Sequence, residues 1–311
     1  MSDFRNITPE EYTDKDMQVV TQLAYIDFAE LLNIYKENHN QECPTIGYLI
    51  DNSYDAIYKQ FMKKHESANE DDLTGLRKEK AEEFLESLKE PDCIYRDWKI
   101  VDVRDKNSEN GFYAVTIELD DNSAVIGFRG SESINQDQVI YDWIDADLGL
   151  LNSTITSQQF SAQEYMAYVN EQFNYTDYVT SGHSLGGNLS EHALLTAPDG
   201  MNIVKGYSFD GPGNSGEYLV KYRDEMNERA DKIIHYQWSF IGNLLNMTPN
   251  INFEHVGVIP EAEDSFGQRH DTCFLKFEDG KWVVPAGLDD EQIYIQDLIH
   301  RATSLVDSAD S

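Results

Sequence analysis

Positive charge is scarce in this chain: 24 lysines and arginines face 57 aspartates and glutamates, a formal net charge of −33 over 311 residues. Such a surface repels phosphate backbones and anionic headgroups at long range, which argues against nucleic acid as a partner; its plainer consequence is solubility. Cysteine is scarcer still. Cys43, Cys93 and Cys273 are odd in number, far apart and without a C-x-x-C pair, so neither a disulfide framework nor a zinc site is indicated, and a reducing compartment such as the cytoplasm fits. No apolar run reaches transmembrane length, and Met1 to Glu10 is polar and acidic with no apolar leader segment. A soluble, leaderless protein is expected, although export without a cleaved signal would leave the same sequence. Internal repeats and low-complexity linkers are also missing.

With 40% hydrophobic residues and 19 glycines, the chain suits one large α/β domain or a core with a small extra piece. Capping signals at Thr8-Pro9-Glu10-Glu11 and at Thr13 to Asp16 start a helix. Met17, Val20, Ala24, Phe28, Leu31 and Tyr35 then continue one apolar stripe until residues 38–44 break it. Further helices are expected over 55–64 and around Ala81, Phe84, Leu85 and Leu88. Residues 1–92 thus read as a helical region packed on the core that follows.

From Trp98 the period becomes alternating. Residues 113–119 and 124–128 form a hairpin across Asp120 to Asn122, and a helix covers 157–173. Strand-like runs at 203–209, 232–238 and 255–259 are separated by segments that can form crossover helices, notably 216–230, which predicts a largely parallel sheet. A closing hairpin (273–277 with 282–285) and a helix over 294–306 complete a core spanning 93–306, and 307–311 is a disordered tail.

The chemistry-bearing stretch is Tyr178 to Leu189, in which Gly182-His183-Ser184-Leu185-Gly186 has G-x-S-x-G spacing. Tyr178-Val179-Thr180 can be a strand, and Leu185, Leu189, His192, Ala193 and Thr196 recur at helical spacing. Strand, turn and helix therefore stand in the order that exposes a nucleophilic serine, where side chains in place of the glycines would collide with their neighbours.

Phe128-Arg129-Gly130-Ser131, Asp142-Trp143-Ile144-Asp145 and Gly182 to Gly187 together resemble the class 3 (fungal-type) lipases. A bacterial lipase-like family of unknown function is more similar still: it shares a helical start like Gln22 to Phe28, the F-R-G-[ST] segment, G-H-S-x-G-G-N-L, a D-G-P-G like Asp210 to Gly213, and an H-D like His270-Asp271. The resemblance covers most of residues 17–277. It implies an α/β-hydrolase fold with a largely parallel central sheet and a helical N-terminal region, and an oxyanion hole at the F-R-G-S strand end.

In that fold the order is Ser, acid, His, which leaves five histidines downstream of Ser184. His192 rides the helix after the serine, His235 lies within an apolar strand, and His300 sits in the C-terminal helix. His270 follows the loop 261–269 and is the first choice for the base, with His255 the alternative. Class 3 lipases place the acid after the strand that here is 232–238, but this chain reads Ser239-Phe240-Ile241-Gly242. Asp210, ending the preceding strand, is the first choice, though it is also a natural turn-capping residue; Glu254 is the third candidate, and a Ser–His dyad oriented by Ser239 the fourth arrangement. Backbone N–H groups of Leu185 and Ser131 would receive the oxyanion, the Ser131 hydroxyl adding a donor. Arg129 reads as a loop anchor through a carboxylate. Residues 132–148 stand where class 3 lipases carry a lid, and an amphipathic packed connection reads equally well.

A serine carboxylic-ester hydrolase of lipase or esterase type is the resulting expectation, acting on a lipid or small acyl ester with no metal or cofactor. Two rivals stand beside it: an amidase or acyltransferase using the same site, and a hydrolase-fold binding protein without activity. Oligomeric state is not legible.

Overall fold

Thr13 starts the first helix through a reciprocal cap, its Oγ1 accepting from the Asp16 N–H at 3.3 Å while Asp16 Oδ2 accepts from the Thr13 N–H at 2.7 Å. The computed structural model describes residues 12–65, 78–130, 154–239, 241–257, 270–278 and 281–283. Helix α1 (Asp14–Leu23) is followed by α2 (Ala29–Asn38), by α3 (Ile46–His65), which kinks at Ser53, and by α4 (Lys78–Ser87).

The single stripe expected from Met17 to Tyr35 is broken at 24–28, and the cause lies a hundred residues away. Arg129, 2% exposed, donates from Nε to the Ala24 carbonyl at 2.6 Å, from Nη2 to the Ile26 carbonyl at 3.2 Å and to Asp27 Oδ1 at 2.8 Å. Tyr113 Oη donates to the same Ile26 carbonyl and accepts from the Phe28 N–H. A continuous helix would recover fractions of a kcal/mol per residue, roughly 0–0.7, whereas leaving a buried guanidinium without its partners costs about 3–5 kcal/mol. The bend therefore wins.

Seven strands lie side by side in chain order: β1 (Lys99–Lys106), β2 (Phe112–Asp120), β3 (Ser123–Phe128), β4 (Asp177–His183), β5 (Ile203–Phe209), β6 (Ile233–Gln237) and β7 (Asn252–His255). β1 to β3 are antiparallel and β3 to β7 parallel. Crossovers of one hand in a monotonic order place every connecting helix on the same face. Accordingly α5 (Ser157–Gln172), α6 (Leu185–Leu195) and the pair Gly216–Lys221 and Arg223–Arg229 share one cluster with Phe112, Ala114, Ile126 and Phe128. Alternation along β2 sends Tyr113, Val115 and Ile117 to the other face, where Met17, Val20, Leu23, Leu49, Phe61 and Leu85 of the N-terminal helices cover them. Each large apolar side chain withdrawn from water there contributes about 1.5–3 kcal/mol, so exposing that whole face would cost as much as the ~5–15 kcal/mol by which domains are stable. This is the α/β-hydrolase architecture, a mostly parallel sheet with helices on both faces.

Two strand readings shift. β7 was expected at 255–259 and runs over Asn252–His255 instead, because it is an edge strand whose Asn252, Phe253 and Glu254 are exposed and carry no apolar alternation. Asn252 sets its register by donating to the Asp231 carbonyl at 2.6 Å. The closing hairpin is shorter, β8 (Phe277–Glu278) against β9 (Lys281–Trp282), and Thr272–Phe274 is a 3-10 turn. The cap at Thr8, the helix over 294–306 and the tail 307–311 lie outside the described residues. Among those described, no helix is long and apolar enough to cross a membrane.

Candidate active site

Strand β4 delivers the serine at its carboxyl end. Ser184 has φ 58° and ψ −134°, a conformation that costs a non-glycine residue on the order of 1–3 kcal/mol. Its surroundings allow nothing looser: a Cβ on Gly182 would stand 1.9 Å from the Gly186 carbonyl oxygen, and one on Gly186 2.3 Å from that of Phe128. The Ser184 N–H donates to the Phe209 carbonyl at 2.9 Å, pinning the turn to β5. Ser184 stands at the N-cap of α6 without using its side chain as the cap. Leu185 opens the helix, where the first N–H groups have no partner within it and favour negative charge.

Parallel register brings the next two strand ends level with this turn, His183 facing Phe209 and Phe209 facing Tyr236. Asp210 follows β5 directly, itself at φ 53°. Its Oδ2 lies 2.6 Å from His270 Nδ1, and its Oδ1 accepts from the Trp238 and Ser239 N–H groups at 3.2 and 3.1 Å. The Ser239 hydroxyl donates to Asp210 Oδ2 and sits 3.3 Å from His270 Nδ1. Asp210 and His270 are both fully buried. A Cβ at Gly242 would come within 2.5 Å of Asp210 Oδ1, so glycine there leaves room for the carboxylate. Burial pushes the Asp210 carboxyl up, but hydrogen bonds from His270 and Ser239 outweigh it and hold the group below the ordinary carboxylate value. With Nδ1–H directed at Asp210, Nε2 carries the lone pair, and it has no hydrogen-bond partner among the described residues.

His183 joins the two halves. Its Nε2 donates to the His270 carbonyl at 2.8 Å, the two rings lie 4.5 Å apart, and Trp238 stacks beyond at 6.1 Å. On the far side of Ser184, Asn188 donates to the carbonyls of Pro212 and Gly213, both at 3.1 Å. The asparagine of G-H-S-L-G-G-N-L thus ties the helix after Ser184 to the loop after Asp210.

Other candidates stand elsewhere. Glu254 is exposed on β7 and His255 ends that strand half-buried; among the described residues neither hydrogen-bonds Asp210, Ser239 or His270. His235 pairs through Nδ1 with Glu191 Oε1 at 2.8 Å, and Glu191 Oε2 accepts from Thr248 at 2.9 Å, a buried network that no spacing announced. His192 accepts or donates at Nδ1 with Tyr218 Oη, 2.8 Å away. Ser131, His300 and the segment 132–148 lie outside the described residues. No group of three or more His, Cys, Asp or Glu side chains among those described is arranged to hold a metal ion.

Burial lowers His183 and His192 to about 3, against about 6.5 in an unfolded chain. Between those values only the unfolded state binds the protons, so their contribution is complete above pH 6.5 and is lost as pH falls. Urea midpoints should therefore drop steeply from pH 6.5 to 4, each histidine adding up to about 1.4 kcal/mol per pH unit. His192→Gln should flatten the slope; a wild-type midpoint constant over that range would refute the assignment.

A family model described as Mbeg1-like matches residues 95–308. No curated protein compared with the chain matches it. Among solved structures, M37 lipase is similar at 13% identity and a TM-score of 0.40, over 95% of this chain and 81% of its own. A triacylglycerol lipase from Penicillium expansum (16%, 0.30, 52% and 68%) and Lip2 lipase from Yarrowia lipolytica (13%, 0.31, 65% and 76%) are also similar. Likenesses this faint carry no weight for the chemistry.

Proposed function

Since the chain belongs to the Mbeg1-like family, a lipase-like family, we propose that it is a serine carboxylic-ester hydrolase of lipase or esterase type. The observation that carries this reading is the buried Asp210–His270 hydrogen bond of 2.6 Å, whose carboxylate ends a strand level with a serine on a strained strand-to-helix turn. Ser184 Oγ adds to the ester carbonyl while His270 Nε2 takes its proton. Asp210 keeps Nδ1 protonated and stabilises the imidazolium. The Leu185 N–H receives the oxyanion, together with that of Ser131, and the alcohol departs with the proton from His270. Water then repeats the sequence on the acyl-enzyme. Hydrogen bonds from His270 and Ser239 outweigh the effect of burial and hold the Asp210 carboxyl below the ordinary carboxylate value, so it accepts from the imidazole as a carboxylate.

A fluorophosphonate probe should label the wild type at Ser184, and a chain-length series of p-nitrophenyl esters should give turnover with a defined optimum. A wild type that neither labels nor turns over any ester would replace this reading with that of a hydrolase-fold binding protein. Labelling with turnover of amides alone would move it to an amidase.

A further inference from the structure

The segment Gln22 to Phe28 belongs to the sequence resemblance yet has no part in the chemistry above. It runs through the bend between α1 and α2, and it carries Tyr25 to the nucleophile. Gly130 stands two residues beyond the end of β3, one residue before Ser131. A Cβ on Gly130 would lie 2.7 Å from the Tyr25 hydroxyl oxygen, 2.7 Å from the His183 carbonyl oxygen and 3.2 Å from Cβ of Ser184. The phenol oxygen therefore borders the same small space as the nucleophile's side chain, and Tyr25 is 4% exposed.

Arg129, the neighbour of Gly130, grips the residues on both sides of Tyr25: its Nε donates to the Ala24 carbonyl and its Nη2 to that of Ile26. Strand end and tyrosine are thus one rigid unit, braced again by Tyr113 Oη on Ile26. Phenylalanine would fill the same apolar volume; what tyrosine adds is a donor.

We propose that Tyr25 is a catalytic residue whose phenolic O–H donates a hydrogen bond to the oxyanion formed at Ser184, beside the Leu185 N–H. This rests on the hydrolase reading. As the Ser184 Oγ–carbon bond forms, the serine proton passes to His270 Nε2 and the carbonyl π pair moves onto oxygen. Tyr25 shares its proton with that oxygen without transferring it. When the pair returns, the bond to the leaving oxygen breaks and that oxygen takes the proton from His270. The negative oxygen exists only along this path, so the phenol acts on kcat more than on KM.

The test compares full-length wild type and Tyr25→Phe on a p-nitrophenyl ester and on an alkyl boronic acid, which forms a tetrahedral adduct with the serine. Rates are normalised to the fraction titrated by fluorophosphonate, so misfolded protein does not enter. Expected are a kcat lower by about 10²-fold with KM little changed, and boronate affinity weakened by a similar factor, while inhibition by the carboxylate product stays the same. An unchanged kcat overturns the proposal. So does a lower kcat with unchanged boronate affinity, which would assign Tyr25 to packing. A wild type inert to every ester and to the boronate sinks the hydrolase reading and this inference with it; an active wild type with an equally active Tyr25→Phe sinks only the latter.

Discussion

Ser184→Ala should lower ester turnover by about 10⁶-fold and remove fluorophosphonate labelling, while the urea midpoint stays where it was. The fold should tolerate the change because the side chain caps nothing: the turn is held by the Ser184 N–H on the Phe209 carbonyl and by the close approach of Gly182 and Gly186. A companion variant separates strain from chemistry. Ser184→Gly is equally dead, but glycine adopts φ 58° without the cost of about 1–3 kcal/mol that serine bears, so its midpoint should rise above that of the wild type. Retained turnover in Ser184→Ala would move the nucleophile elsewhere. A Ser184→Gly midpoint below that of Ser184→Ala would show that the turn is not strained as its dihedrals indicate.

Asp210→Asn is expected to cut turnover by about 10⁴-fold with the protein still folded. The geometry says which way the amide will sit. Oδ1 faces two backbone N–H groups, those of Trp238 and Ser239, which can only donate, so the amide oxygen must take that side. Its NH2 then faces His270 Nδ1 and the Ser239 hydroxyl. The hydroxyl can rotate to accept; the imidazole must place its proton on Nε2 instead, and the base is lost. Ser239→Ala should cost far less, because the carboxylate keeps both backbone donors and His270. Glu254→Gln should be silent, its side chain being exposed on the edge strand. Turnover by Asp210→Asn close to that of the wild type would exclude Asp210 as the orienting acid and leave a Ser–His dyad.

Local sterics reach only a few residues, and what depends on them is legible in the chain. The spacing Gly182, Ser184, Gly186 demands a turn that only glycines can flank, and the structure has it. The hairpin across residues 120–122 and the helices over 157–172 and 185–195 follow from turn chemistry and from apolar spacing in the same way. The stripe from Met17 to Tyr35 was equally regular and misleading, because Arg129 needs the carbonyls that a straight helix would have kept for itself. β7 carried no pattern, lying exposed at the sheet edge.

Which carboxylate joins His270 was ranked by the sequence but decided by the fold. Asp210 stood first among the candidates because it ends a strand, but Glu254 and Ser239 stood near strand ends too, and local chemistry left all three open. Strand register decided it, by setting the ends of β4, β5 and β6 level so that the carboxylate after β5 reaches a space bordered by the serine after β6. The sequence by itself therefore determined the turn at Ser184 and the alternation of strand and helix, since both are local. Tertiary structure decided among the candidate partners of His270, and it alone placed Tyr25 beside Gly130, since both contacts arise where strand ends and a distant bend are held together by a packed sheet.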